Sequence, residues 1–118
     1  MALFIRSVGP ALAAGNTVVA KLPGQTGLTN ALVAEIMSQV RSLPAGVVNM
    51  LTESGNTGAP FLIRSDDVDM VSFTGSIPIG RQIAAAGAKT LKRINLELGG
   101  KLRWSSSMMR CSPPRFRC

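Results

Sequence analysis

Asp69-Met70-Val71-Ser72-Phe73-Thr74-Gly75-Ser76 carries the decisive change of period in this sequence. The first five residues read as a strand, which turns through Thr74, Gly75 and Ser76 into a helical pattern ending near Gly87. The same switch recurs on both sides. Downstream, Lys92 to Leu98 reads as a strand with Ile94, Leu96 and Leu98 on one face and Arg93, Asn95 and Glu97 on the other, because successive strand side chains alternate.

Upstream, Leu3 to Ala14 reads as a helix stopped by Gly15-Asn16, a pair suited to a left-handed terminus. Thr17 to Lys21 follows as a strand. Leu28, Leu32, Val33, Ile36 and Val40 then recur at helical spacing, which predicts a helix with Thr26 as N-cap, running to about Arg41. Val47 to Leu51 is the next strand, and a short helix runs from about Thr57 to Ile63 with Pro60 in its first turn. Helices alternating with four short strands predict an α/β fold with an open, mostly parallel sheet.

The 118 residues suffice for one small domain. Apolar residues make up 46% and aromatics 4%, so the core must come from aliphatic side chains. Net charge is +7, but residues 1–101 hold nine basic and six acidic groups, which leaves only +3 there; the remaining arginines lie in the tail. No aromatic-and-basic interleaving accompanies that charge, so nucleic acid is not an expected partner. No run approaches the roughly 20 apolar residues that cross a bilayer, so no membrane is expected either. Both cysteines, Cys111 and Cys118, sit among Pro, Ser and Arg, and a reducing, cytoplasmic setting is the default. Residues 1–101 form the expected domain, and residues 102–118, which show no period, form an irregular basic tail expected to be disordered.

Chemistry has few places to reside. The turn at Thr74-Gly75-Ser76 offers backbone N–H groups and a helix dipole to a phosphate, and Gly75 permits close approach; the bland alternative is a turn glycine and an N-cap serine. The spacing of Gly75 and Gly80 is not the G-x-G-x-x-G pattern. Lys21, at a strand end, reaches toward a ligand crevice or is simply solvated. Glu97, ahead of two glycines, is a candidate general base or merely exposed.

The wider context is more specific. Gly-Pro-Ala-Leu-Ala-Ala-Gly-Asn-Thr-Val-Val-Ala-Lys (9–21), Leu-Pro-Ala-Gly-Val-Val-Asn (43–49), Ser-Phe-Thr-Gly-Ser (72–76) and Leu-Glu-Leu-Gly-Gly-Lys (96–101) together resemble the NAD(P)-dependent aldehyde dehydrogenase family over about residues 2 to 101. The resemblance implies a partial Rossmann-like nucleotide-binding domain and oxidation of an aldehyde substrate to an acid with NAD or NADP. Lys21 would contact the adenine ribose or a 2′-phosphate, and Ser76 the pyrophosphate. Gly75, Gly80, Leu98 and Gly99 complete the implied cofactor-binding set, with Gly99 and Gly100 giving the nicotinamide side room. Glu97 would activate water against a cysteine thioester. No metal is implied. A homo-oligomer is implied for the full-length parent.

Three departures qualify the resemblance. The family's ribose-binding glutamate, three residues after the lysine, is Gly24 here, which leaves NAD and NADP both open, and Gly27 stands where a proline commonly starts the helix. The strand bearing the family's tryptophan and asparagine is expected ahead of residue 1. The nucleophile is expected well beyond Glu97, in a setting that neither Cys111 nor Cys118 matches. The abrupt change after Lys101 suggests a shifted reading frame or truncated gene, which the flanking DNA in all three frames would test. The expectation is therefore a fragment of such an enzyme, with a catalytically inactive nucleotide-binding remnant, or one completed by a partner, as the alternative.

Overall fold

The computed structural model describes residues 2–99, so the tail expected at 102–118 lies outside the described residues. Helix α1 (Ala2–Ala13) tolerates Pro10 and ends as its sequence predicts. Gly15 adopts φ 79°, a left-handed conformation that only glycine enters without strain. Its amide donates to Leu12 O at 2.9 Å, and the Asn16 amide donates to Ala11 O at 3.0 Å. Strand β1 (Val18–Pro23) and a 3₁₀ turn (Gly24–Thr26) lead into α2 (Gly27–Ser38). Strand β2 (Val48–Glu53), α3 (Gly58–Arg64), β3 (Met70–Gly75), α4 (Ile77–Gly87), a second 3₁₀ turn (Ala88–Thr90) and β4 (Arg93–Leu98) complete the order.

The strands pair in parallel, as a chain alternating strand and helix requires. Among the described residues they form two pairs rather than one continuous four-stranded sheet: β1 with β2, from Val18 opposite Val48 to Pro23 opposite Glu53, and β3 with β4, from Met70 opposite Arg93 to Gly75 opposite Leu98. Each pair is bonded along one edge of β1 or β3. Helix α1 touches both pairs: it packs on β1, the Ser7 hydroxyl lies 3.3 Å from that of Ser72 in β3, and Arg6 reaches Glu97 in β4.

Helix α4 packs on one face of the β3–β4 pair, and α1 reaches the other face through Ser7 and Arg6. The face carrying Ile94 and Leu98 meets α4 at Gly87 and Gly80, where a Cβ would stand 2.7 Å from Ile94 Cδ1 and 2.6 Å from Leu98 Cδ2. Residues one step out of phase, Asn95 and Glu97, face α1 instead. Lys92 anchors the start of β4 by donating from Nζ to the carbonyls of Ser65 and Val68 in the connection leading to β3.

The expected end of α2 needs correction. That helix stops at Ser38, three residues short of Arg41. Thr26 is the N-cap residue as expected, but its hydroxyl makes no capping bond and instead lies 3.2 Å from Pro23 O and 3.0 Å from Asn30 Oδ1, either of which can accept its proton. The stripe Leu28, Leu32, Ile36 and Val40 faces outward, Leu28 with 92% of its surface exposed, while Val33 and Asn30 turn inward. Asn30 is held there because its amide donates to Pro23 O at 2.8 Å and to Thr52 Oγ1 at 3.3 Å, so a polar network rather than the apolar stripe sets the helix's rotation. Among the described residues the buried apolar core consists of Val8, Val33 and Ile83.

Candidate functional site

Parallel pairing brings the C-terminal ends of paired strands to one edge, the edge at which open α/β sheets present ligand-binding groups. At the end of β3, Gly75 and Ser76 turn the chain into α4. A Cβ on Gly75 would run into the ring of Phe73, two residues back on the same strand face, so a side chain at this turn requires that ring to move. Ser76 is the N-cap residue in extended conformation, φ −76° and ψ 149°, and its hydroxyl makes no capping bond. Its carbonyl accepts from Gly80 N at 3.0 Å. Pro78 contributes no amide, so the N–H groups of Ile77 and Ile79 are the helix-opening donors left for an anion.

Glu97 stands on β4 opposite Thr74 and is ion-paired, Arg6 Nη2 lying 3.4 Å from Glu97 Oε1. Both side chains are about half exposed. Leu98 turns to the α4 face and fills the space above Gly80, so these two residues meet each other in packing. Gly99 continues the strand pairing, its amide donating to Gly75 O at 3.1 Å. Ser76 and Glu97 therefore share the end of one strand pair, but Glu97 leaves it on the face opposite α4. A molecule touching both must cross over the strand ends. Gly100 lies outside the described residues.

Lys21, near the end of β1, has a neighbour that sequence reasoning missed. Glu53 closes β2, two residues beyond the expected strand end, and its Oε2 lies 3.9 Å from Lys21 Nζ. Glu53 Oε1 accepts from Thr57 Oγ1 at 2.6 Å, Thr57 N at 2.7 Å and Gly58 N at 3.0 Å, while Gly58 N also lies 3.2 Å from Oε2. The Thr57 hydroxyl foremost, then the Gly58 and Thr57 amides, and last the Lys21 charge lower its pKa from 4.5 to about 2 against the opposing effect of desolvation. A signal for this was present in the sequence: a strand-end carboxylate followed by Ser-Gly-Asn-Thr-Gly, a turn rich in donors. Gly24, next to this pair, approaches the backbone of Ser54 so closely that a Cβ there would lie 2.9 Å from Ser54 Cα. Shallow recesses adjoin the group, one of about 420 Å³ lined by Asn56, Thr57, Pro60, Phe61, Arg64 and Ser65, the other beside Gly24 and α2.

With this geometry in view, the profile of the aldehyde dehydrogenase family matches residues 1–104. The chain belongs to the aldehyde dehydrogenase family. Human mitochondrial aldehyde dehydrogenase is 50% identical over 95 residues, covering 80% of this chain and 18% of that protein. Among solved structures, PnpE in complex with nicotinamide adenine dinucleotide superposes with a TM-score of 0.74 at 46% identity, over 80% of this chain and 19% of that one. An Escherichia coli NADP-dependent enzyme superposes with a TM-score of 0.75 at 44% identity, over 84% and 20%. This aldehyde dehydrogenase chain thus spans about a fifth of the length of the relatives it matches. The α/β architecture and the use of NAD or NADP are those of the family.

Proposed function

We propose that this chain supplies the nucleotide-binding part of an NAD(P)-dependent oxidation of an aldehyde to a carboxylic acid. The observation that supports it most is the start of α4: a strand end, a turn at Gly75 crowded only by the Phe73 ring, a Ser76 hydroxyl without a capping bond and the amides of Ile77 and Ile79, converging where a pyrophosphate would be held. Lys21 serves the ribose end. Gly80 and Leu98 act by setting the distance between α4 and β4, and Gly99 keeps the β3–β4 pairing through its amide. A bound NAD or NADP would supply the hydride acceptor for the oxidation. Glu97, ion-paired with Arg6, takes a proton from water during acyl hydrolysis. The described residues contain no cysteine, so they bind and orient but supply no thiolate.

Calorimetric titration with NAD and with NADP tests this reading. Saturable heat from either nucleotide is expected, together with no reduction of NAD or NADP when aldehydes are added to the chain alone. No saturable heat from either would refute nucleotide binding, and turnover abolished by Glu97→Gln would refute the inactive state.

A second reading, a piece completed by a partner chain, is favoured by the division of the strands into two pairs and by the outward-facing Leu28, Leu32 and Ile36. It predicts concentration-dependent association in light scattering. Residence in the cytoplasm belongs to the same proposal; among the described residues no helix is long and apolar enough to cross a membrane, and the names of relatives include both mitochondrial and cytosolic proteins.

A further inference from the structure

The ribose end of the site carries a charge pair whose acidic member comes from a different strand than the lysine. Lys21 lies two residues before the end of β1, opposite Leu51, and Glu53 closes β2 opposite Pro23; the two side chains meet with Oε2 3.9 Å from Nζ. Glu53 is fixed, not swinging. Three donors hold Oε1, and Gly58 has no Cβ to push the carboxylate away: one built there would lie 3.2 Å from Oε2. Oε2 keeps a lone pair, since among the described residues Gly58 N is its one close donor and Lys21 stands beyond hydrogen-bonding distance. A carboxylate at position 24, in the turn that follows β1, has no room, because the backbone there abuts Ser54.

We propose that Glu53 sets the nucleotide preference of this chain by accepting a hydrogen bond from the adenosine ribose 2′-hydroxyl and repelling a 2′-phosphate, so that NAD is bound in preference to NADP. The inference rests on the nucleotide reading given above and sharpens it. A 2′-phosphate brings close to two negative charges toward a carboxylate that its donors hold in place, and Lys21, already facing that carboxylate, offers the phosphate only a partly neutralised cation. A 2′-hydroxyl meets the opposite situation: an acceptor on Glu53 and a donor on Lys21, side by side, both partly exposed.

Titration calorimetry of the full chain with NAD and NADP, repeated on Glu53→Gln, reads the preference directly. The expected result is NAD binding at least about tenfold tighter than NADP in the unaltered chain, with the gap narrowing to about threefold or less in the variant as the fixed charge is removed. Equal or tighter binding of NADP by the unaltered chain overturns the proposal while leaving the nucleotide site standing, and means that Lys21 dominates the 2′ position. Heat from neither nucleotide overturns the nucleotide reading and this inference with it. A folded Glu53→Gln chain that keeps the full preference overturns the role of Glu53. Should the variant lose its helical circular dichroism, the ¹³C resonance of the Glu53 carboxylate in the unaltered chain decides: it shifts as NAD saturates, and a resonance unmoved at saturation overturns the proposal.

Discussion

Gly80 and Leu98 are in such close contact that a Cβ on the glycine would stand 2.6 Å from Leu98 Cδ2 and 2.9 Å from Cδ1. Gly80 is buried in the first turn of α4, and Leu98 is the last residue of β4, so their contact fixes how closely the helix start approaches the strand bearing Glu97. Gly80→Ala is expected to lower stability by about 1–3 kcal/mol, the usual range for forcing a methyl into a packed contact. Urea denaturation followed by circular dichroism checks it; an unchanged midpoint would mean that Leu98 rotates away without strain.

Glu53 predicts a dependence on acid. Its folded pKa is lowered to about 2 from 4.5, so the ionised form is favoured by folding. The stability it contributes is fully present above about pH 4.5 and is lost as pH falls through about 2. The melting temperature of the unaltered chain should therefore fall more steeply between those values than that of Glu53→Gln. Parallel curves for the two would contradict the hydrogen-bonding assigned to Thr57 and Gly58.

Leu91 sits at φ 53° and ψ 33°, a left-handed conformation unfavourable to a residue with a Cβ and a branched side chain, and 91% of its surface is exposed. Leu91→Asn should stabilise the chain by about 0.5–1 kcal/mol, since asparagine tolerates this region and little packing is lost. The denaturation midpoint is the measurement, and a lower midpoint would show that Leu91 packs in a way its exposure denies.

Arg6 and Glu97 form a half-exposed ion pair. Arg6→Ala should change stability by less than about 1 kcal/mol, as screened surface pairs generally do. A loss of several times that size would mean that α1 depends on this pair for its placement.

The sequence made the alternation of elements legible because each strand is short and carries apolar residues in a run or at alternate positions, and because Gly15 and Gly75 sit where a left-handed stop and a crowded turn fall. Parallel pairing followed from the same alternation. The rotation of α2 was not legible: Leu28, Leu32 and Ile36 form a convincing buried stripe by period alone, and only the bonds from Asn30 to Pro23 and Thr52 show which face turns inward. The division into two strand pairs depends on pairings that no local pattern records. At the site, Lys21, Gly75, Ser76 and Glu97 were visible as motif residues. Glu53 was not, because its importance arises from meeting Lys21 across two strands and from amides that turn back toward it.

The central claim is that one nucleotide spans the strand ends from Lys21 to the opening of α4. Backbone amide chemical-shift mapping during NAD titration tests it most directly. The account predicts saturable shifts at Ser76, Ile77 and Ile79 together with shifts around Lys21 and Gly24, all at one dissociation constant. Saturable binding whose shifts fall elsewhere and spare both groups would contradict it.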